Sequence, residues 1–200
     1  MRRQGRAGTG QAGVAMTAAA AISLPRTVAL VGLMGAGKSS IGRRLAQRLK
    51  VPFIDADAEI EAAAGATVEE IFERHGEAAF REGERRVIAR LLEGPVHVLA
   101  TGGGAFMDPA TRALMRERAI TVWLRADVEL LLARVTRRNN RPLLKGGDPR
   151  AVLERLAAER HPIYAEADIV IDTLEGPPEA TLESIVAALA SWLGVAALAS

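Results

Sequence analysis

Two hundred residues, of which 49% are hydrophobic, are enough for one domain with a well-buried core. The lack of cysteine excludes disulfides, thiolate catalysis and cysteine-based zinc sites, favours a cytoplasmic location, and leaves three scattered histidines that do not indicate a metal site. The net charge of +2 is concentrated at one end, because residues 1–24 carry +3 and residues 25–200 sum to −1, so nucleic acid is not an expected partner. No apolar run approaches the roughly 18 residues of a membrane-spanning helix, so no membrane partner is expected either.

The amino-terminal segment, residues 1–24, is rich in alanine, glycine and arginine, contains no acidic residue and lacks a hydrophobic pattern. We expect it to be a disordered extension, or the result of a start codon assigned too early, with Met16 as the native first residue. A transit peptide is an alternative, because such segments also carry arginine and avoid acidic residues. Residues 25–195 are then predicted to form a single domain.

Short β-type runs alternate with longer helical patterns from residue 26 onward. In chain order the pattern predicts strand 27–32, helix 38–50, strand 51–55, helix 58–92 with a break near Gly65 and a capping box at Thr67 and Glu70, strand 96–101, a helix that starts at Pro109 with Asp108 as its cap, strand 119–124, helix 127–138, a turn-rich insert at 139–148, helix 149–164, strand 168–172 and helix 177–193. Strands separated by helices pair in parallel through right-handed crossovers, with helices on both faces. The predicted fold class is therefore α/β, in a three-layer α/β/α arrangement with a five-stranded parallel sheet.

The segment GLMGAGKS, Gly32–Ser39, fits the pattern G-x-x-x-x-G-K-[ST] and lies between a predicted strand and a predicted helix, as this phosphate-binding loop requires. Its glycines let backbone N–H groups approach phosphate oxygens at a helix N-terminus. Lys38 is expected to reach the β- and γ-phosphates of a nucleotide, and the Ser39 hydroxyl to bind Mg²⁺. The residues predicted to bind the nucleotide here are Gly35, Ala36, Gly37, Lys38, Ser39 and Ser40. The P-loop alone leaves the reaction open, because GTPases, motor ATPases and small-molecule kinases all use one.

Two carboxylates, Asp55 and Asp57, follow the second predicted strand at its C-terminal end, where α/β sheets bind ligands. In an extended segment, alternation would point both side chains the same way. The alternative is that Asp57 merely caps a helix that starts at Ala58.

A basic segment follows the fourth predicted strand and its helix, with five cations and no acidic residue between positions 134 and 145. The cations are Arg134, Arg137, Arg138, Arg141 and Lys145. One interpretation is an exposed basic helix end, which the helix dipole favours. The other is a lid, at about 134–148, that closes over the phosphates of a nucleotide and excludes water.

Further short motifs surround the P-loop: DAD at 55–57, FREGE at 80–84, TGGG at 101–104, RPLL at 141–144 and RHPIY at 160–164. In this order they resemble the shikimate kinases, and the resemblance covers nearly everything from Thr27 to Asp172. It implies a P-loop kinase fold like that of the nucleoside monophosphate kinases, with a mobile lid and with ATP and Mg²⁺ as cofactors. The implied reaction is phosphoryl transfer from ATP to the 3-hydroxyl of shikimate, in chorismate and aromatic amino-acid biosynthesis.

The resemblance also implies roles on the acceptor side. Arg81 and Arg160 can each pair with the shikimate carboxylate, and Glu84 lies on the same helical face as Arg81, close enough to hold its guanidinium. The glycine run is assigned to the acceptor site, where bare backbone lets shikimate lie close and the Gly103 N–H can donate to it; the alternative is a tight strand-to-helix turn. The residues assigned to shikimate are Asp57, Arg81, Glu84, Gly102, Gly103, Gly104 and Arg160.

On the phosphate side, the resemblance makes Asp57 the candidate general base that holds the acceptor hydroxyls, while Asp55 supports Mg²⁺ together with Ser39. Arg141 is implied to stabilise charge on the transferring phosphoryl group, and Arg134 to lie on the nucleotide side. The predicted catalytic residues are Lys38, Asp57 and Arg141.

Two other functions stay open at this point. One is another small-molecule P-loop kinase, acting on gluconate or on a nucleoside monophosphate. The other is a P-loop binding module without catalytic activity, although no motif position has been lost. The expected protein is a monomer whose partner is the small molecule shikimate, and the sequence does not identify the residues that contact adenine.

Overall fold

A parallel five-stranded β-sheet flanked by α-helices forms the centre of the protein, in a computed structural model that describes residues 22–136 and 148–195. The strands are β1 Thr27–Val31, β2 Phe53–Asp55, β3 Val98–Ala100, β4 Ala119–Arg125 and β5 Ile169–Asp172. The helices are α1 Lys38–Leu49, α2 Ala56–Ala64, α3 Val68–Glu93, α4 Pro109–Arg118, α5 Val128–Thr136, α6 Pro149–Tyr164 and α7 Pro178–Trp192, with a short 3₁₀ turn at Ala105–Met107. The predicted α/β class with a parallel sheet is confirmed.

The strand order is β2-β3-β1-β4-β5, so the strand that precedes the P-loop pairs directly with the strand that precedes the TGGG motif. In the register of this pair, Leu30 of β1 lies beside Ala100 of β3. Just past β3, Thr101 donates to the Leu30 carbonyl from both its N–H, at 3.2 Å, and its hydroxyl, at 3.0 Å. The two glycine turns therefore begin side by side at the C-terminal edge of the sheet.

The helices pack on the sheet through small and apolar side chains. Helix α1 contacts β3 and α7, whereas α4 contacts β4 and α3. Helix α1 buries Ile41 and Leu45, and a Cβ added at Gly42 would come within 2.6 Å of the Phe53 ring, so glycine allows α1 to lie close to β2. Burial of each such aliphatic side chain contributes about 1.5–3 kcal/mol, which holds the P-loop helix firmly on the sheet.

The segment that carries the two aspartates differs from the prediction. Helix α2 begins at Ala56 rather than Ala58, and its N-cap is Asp55, whose carboxylate accepts a hydrogen bond from the Asp57 N–H at 3.2 Å. Asp57 lies in the first helical turn, so the expectation of an extended segment was wrong, and so was the alternative that Asp57 caps the helix. The physical reason is that an aspartate carboxylate satisfies a first-turn N–H directly after the strand, which starts the helix earlier than apolar periodicity indicates.

The break predicted near Gly65 is confirmed, because this glycine, with φ 63°, ends α2. The capping box is also present: the Thr67 hydroxyl accepts from the Glu70 N–H, and the Glu70 carboxylate accepts from the Thr67 N–H at 2.8 Å. Helix α3 contains a kink that the sequence analysis did not anticipate, at Gly76, whose φ is 77°. This kink separates the first turns of α3 from the part that carries the FREGE motif.

Two predicted features fall mainly outside the described residues. Residues 137–147 include Arg141 and most of the predicted lid, and residues 1–21 make up most of the predicted extension. Both stay predictions, as does the single domain at 25–195. Among the helices of the described ranges, none combines the length and apolar character needed to cross a membrane.

Candidate functional site

Two adjoining cavities lie where β1, β2 and β3 end. The first, of about 590 Å³, is lined by the P-loop and by Asp55, and the second, of about 450 Å³, by the FREGE, TGGG and RHPIY motifs. Four residues line both cavities: Met34, Asp57, Glu61 and Gly103. Asp57 is exposed to solvent on the first turn of α2 and lies at the junction of the cavities.

The P-loop has a backbone conformation suited to anions. Gly35 and Gly37 have φ values of 83° and 97°, in the left-handed region that favours glycine. Because Gly37 is the N-cap of α1 and offers no side-chain oxygen, the first N–H groups of this helix are left for phosphate. The Lys38 ammonium donates to the carbonyls of Gly32 at 2.7 Å and Leu33 at 3.0 Å, which keeps its positive charge over the loop.

Ser39 and Asp55 form a direct pair on the wall of the first cavity. The Ser39 hydroxyl donates to Asp55 Oδ2 at 2.7 Å. Within the described ranges, no group of three or more His, Cys, Asp or Glu side chains could hold a metal by itself. A hydroxyl and one carboxylate nevertheless fit Mg²⁺, which commonly takes only one or two protein oxygens and completes its coordination with waters and phosphate oxygens.

Arg81 and Glu84 form a largely buried ion pair on the wall of the second cavity. Arg81 Nη1 donates to Glu84 Oε2 at 2.7 Å, as their i,i+3 spacing predicted, and Arg81 also donates to Glu77. The Glu84 side chain is 2% exposed, and its other oxygen, Oε1, accepts no hydrogen bond within the described part of the chain. Burial raises the pKa of Glu84, against the opposing effect of Arg81, and the nearby Asp57 charge raises it further.

The glycine run of TGGG is surrounded by these same charged groups. A Cβ added at Gly102 would lie 2.8 Å from both Asp57 Oδ1 and Glu84 Oε1, and one added at Gly104 would overlap the Arg81 guanidinium. A Cβ at Gly103 would meet Arg160 only at an ordinary contact distance of 3.6 Å. The outer two glycines therefore make room for the protein's own acidic and basic side chains, a requirement that the sequence analysis did not foresee.

The remaining predicted cations are divided between the cavities. Arg160 lines the second cavity and donates from Nη1 to the Gly103 carbonyl at 3.0 Å. Arg134 lines the first, where it donates to the Gly35 and Ala36 carbonyls, each at 3.5 Å. Partial burial lowers the pKa of Arg134. The structure thus brings together the predicted site residues that it describes, and Arg141 lies outside them.

Some residues of both cavities were missed by the sequence analysis. The loop and helix after β5 contribute Gly176, Pro178 and Thr181 to the first cavity. The second cavity has an apolar wall in Phe72 and Phe80, whose ring centroids are 4.6 Å apart. The only available indication was a glycine- and proline-rich segment after a parallel strand, which is too common to identify a site.

The chain is similar to several known proteins. A family model described as shikimate kinase matches residues 34–190. A shikimate kinase of Paramagnetospirillum magneticum is 59% identical over 168 residues, which cover 84% of this chain and 86% of that protein. Shikimate kinase from Acinetobacter baumannii in complex with shikimate superposes with a TM-score of 0.79 at 41% identity, covering 84% of this chain and 93% of that one. A gluconokinase from Sinorhizobium meliloti covers 84% of this chain and 93% of its own, at a TM-score of 0.57 and 19% identity, and so shares the fold alone.

Proposed function

Because this chain belongs to the shikimate kinase family, we infer that it transfers the γ-phosphoryl group of ATP to the 3-hydroxyl of shikimate, giving shikimate 3-phosphate and ADP. The observation that carries this inference is the pair of adjoining cavities, one lined by the P-loop and the other by two arginines, with Asp57 lining both. A phosphoryl donor in the first cavity and a carboxylate-bearing acceptor in the second can then meet beside the Asp57 side chain.

On the acceptor side, the charges match the chemistry of shikimate, which bears one carboxylate and three hydroxyls. We propose that Arg81 and Arg160 bind the carboxylate by charge-assisted hydrogen bonds. Glu84 keeps the Arg81 guanidinium in place through the bond at 2.7 Å. The glycine turn lies alongside the bound ring, and Phe72 and Phe80 exclude water from its apolar edge.

On the donor side, the P-loop N–H groups and Lys38 hold the β- and γ-phosphates. We propose that Ser39 and Asp55 hold Mg²⁺, the latter through water, and that Arg134 and Arg141 contact the nucleotide phosphates. The metal would neutralise phosphate charge when bound. We also propose that adenine lies against Gly176, Pro178 and Thr181, the far wall of the first cavity.

In the chemical step, the shikimate 3-hydroxyl oxygen forms a bond to the γ-phosphorus while the bond from that phosphorus to the β–γ bridging oxygen breaks. The hydroxyl proton passes to the Asp57 carboxylate, and the bridging oxygen leaves as part of ADP. Since the transition state is loose in most analyses, orientation of the hydroxyl by Asp57 contributes at least as much as removal of its proton. Lys38 and Arg141 stabilise the charge on the transferring and leaving oxygens.

Two further proposals concern the oligomeric state and the location of the protein. We propose that the protein acts as a monomer, because both cavities are lined by residues of one chain. We propose a cytoplasmic location, where its two substrates are metabolites.

The test is a coupled ADP-release assay with shikimate, gluconate and nucleoside monophosphates in parallel. We expect ADP release with shikimate only. Lys38→Ala should abolish turnover, whereas Lys50→Asn, at the opposite end of α1 and at a φ of 57° that asparagine tolerates, should not. Arg81→Ala should raise the shikimate KM by about tenfold or more, whereas Arg74→Ala, on the same helix, should leave it unchanged.

Each of the other outcomes would indicate a different function. ADP release with gluconate or with a nucleoside monophosphate, and none with shikimate, would identify another small-molecule kinase. Binding of shikimate and ATP without turnover would identify an inactive binding module.

A further inference from the structure

The three carbonyl groups of the glycine turn are held in different ways. The Gly102 carbonyl accepts from the Ala105 N–H at 3.2 Å, and the Gly104 carbonyl from the Met107 N–H at 3.0 Å, so both bonds are local to the turn. The Gly103 carbonyl instead accepts from two side chains of α6, Arg160 and Tyr164. Among the described residues, the peptide group between Gly103 and Gly104 is therefore oriented from outside the turn.

Tyr164 is placed to hold this carbonyl, and its hydroxyl also interacts with the Arg160 side chain. Its side chain is fully buried, and its ring packs against Phe106 and Trp123, with ring centroids 6.4 Å and 5.8 Å away. Burial raises the pKa of Tyr164 to about 12, so the hydroxyl stays protonated and remains a donor at neutral pH. Phe106 lies two residues after Gly104, so the same tyrosine packs beside the turn and is hydrogen-bonded to it.

Three consecutive glycines have more backbone freedom than any other tripeptide, and ordering them when a ligand binds reduces affinity. We propose that Tyr164 is a positioning residue for the acceptor: its hydroxyl holds the Gly103 carbonyl and thereby fixes the Gly103–Gly104 peptide before shikimate binds. In a trans peptide the Gly104 N–H lies opposite to the Gly103 carbonyl, hence opposite to Tyr164, and this N–H donates no hydrogen bond within the described ranges. Tyr164 does not touch the substrate and acts through the backbone.

Arg160 and Tyr164 have different roles if the proposed function, on which this inference rests, is correct. Arg160 is expected to bind the shikimate carboxylate, so its bond to Gly103 competes with that contact for the same guanidinium. The Tyr164 hydroxyl has one proton to donate, which the Gly103 carbonyl accepts, and its oxygen interacts with the Arg160 side chain. Since this proton is not needed for the shikimate carboxylate, Tyr164 can hold the carbonyl in the free and the bound enzyme alike.

The test is Tyr164→Phe, which removes the hydroxyl and keeps the ring. We expect the shikimate KM and the shikimate dissociation constant to rise about fivefold, the ATP KM to change by less than about twofold, and kcat to fall less than the KM rises. The matched control is Thr27→Val, which removes another buried hydroxyl, bonded to His97 at the opposite edge of the sheet. We expect Thr27→Val to lose thermal stability, as Tyr164→Phe does, but to keep the shikimate KM of the parent protein.

A shikimate KM within about twofold of the parent value in folded Tyr164→Phe, or an equal rise for shikimate and ATP, would overturn the proposal. If the parent enzyme shows no shikimate-dependent ADP release, the proposed function fails instead, so the two failures are distinct. Should Tyr164→Phe not fold, the chain's single tyrosine allows global replacement by 3,5-difluorotyrosine, whose hydroxyl is more acidic. The shikimate KM of that protein should rise with pH where the parent value is constant, because a phenolate cannot donate to a carbonyl; identical pH profiles would overturn the proposal.

Discussion

The Asp55 carboxylate joins two elements at once: its Oδ2 accepts from the Ser39 hydroxyl of the P-loop helix at 2.7 Å, and its Oδ1 accepts from the Asp57 N–H at the start of α2 at 3.2 Å. The proposed metal-binding residue is thereby also the N-cap of the helix that carries the proposed base. A single carboxylate couples the donor side of the site to the acceptor side.

Asp55→Asn separates these two roles, because asparagine caps a helix as well as aspartate but carries no charge. We expect the Mg²⁺ concentration for half-maximal activity to rise about tenfold, with little change in thermal stability. The measurement is an Mg²⁺ titration of shikimate-dependent ADP release. Asp108→Asn is the control, since Asp108 caps α4 through the Thr111 N–H at 2.8 Å. An unchanged Mg²⁺ requirement in Asp55→Asn would remove Asp55 from the metal site.

Asp57→Asn tests the carboxylate at the junction of the cavities. Because Asp57 is exposed and does not cap α2, the substitution should leave the fold intact and lower kcat by at least about tenfold. The control is Glu59→Gln in the same helical turn, whose carboxylate pairs with Arg90 at 3.0 Å. Steady-state kinetics with both substrates saturating measures the effect, and near-normal turnover would exclude Asp57 from the chemistry.

The raised pKa of Glu84 predicts that the stability of the protein depends on pH. Its pKa in the folded protein is raised above the ordinary 4.5. At pH values between the unfolded and the folded pKa, the folded state therefore binds more protons than the unfolded state. The stabilisation is complete below the unfolded pKa and is lost as pH rises through the folded pKa. In Glu84→Gln, the free energy of unfolding should therefore fall less steeply as pH rises above the ordinary pKa of 4.5.

Urea denaturation across this pH range measures the slope for Glu84→Gln. Glu77→Gln is the matched control, because its exposed carboxylate binds the same Arg81 but is not desolvated. Equal slopes in the parent protein and Glu84→Gln would show that the buried carboxylate does not titrate in this window. Comparing slopes rather than absolute stabilities cancels the loss of the Arg81 bond.

The glycine turn predicts an order among three alanine variants. Gly104→Ala and Gly102→Ala should raise the shikimate KM about tenfold or more, because each Cβ displaces charged side chains, and Gly103→Ala should raise it less, though still more than the ATP KM. Gly83→Ala is the control: nothing lies within 4 Å of its added Cβ, and alanine in a helix should stabilise the protein by about 0.5–1 kcal/mol. If Gly103→Ala proves the most damaging, shikimate itself is the tightest neighbour of the turn.

The parts of this site that could be predicted from sequence are those whose chemistry is local. The P-loop conformation follows from glycines at fixed spacing, and the Arg81–Glu84 pair from an i,i+3 relationship on one helix. The sheet followed equally directly from the alternation of β-type and helical patterns.

The parts that could not be predicted depend on contacts between distant segments. Tyr164 bonds to a carbonyl 61 residues away, and the crowding at Gly104 exists only because α3 lies across the turn. The start of α2 depended on one hydrogen bond from Asp55, which apolar periodicity does not encode.

The pairing of β1 with β3 has a consequence for how this enzyme could acquire a new substrate. Neighbouring strands lie about 4.8 Å apart whatever their side chains, and Thr101 joins the ends of these two strands through the Leu30 carbonyl. The spacing between the P-loop and the TGGG turn is thereby set by the backbone, whereas the side chains proposed to bind the acceptor carboxylate lie on α3 and α6. If Arg81 and Arg160 bind the acceptor as proposed, its specificity can be redesigned at these two positions without changing the spacing of the two strands.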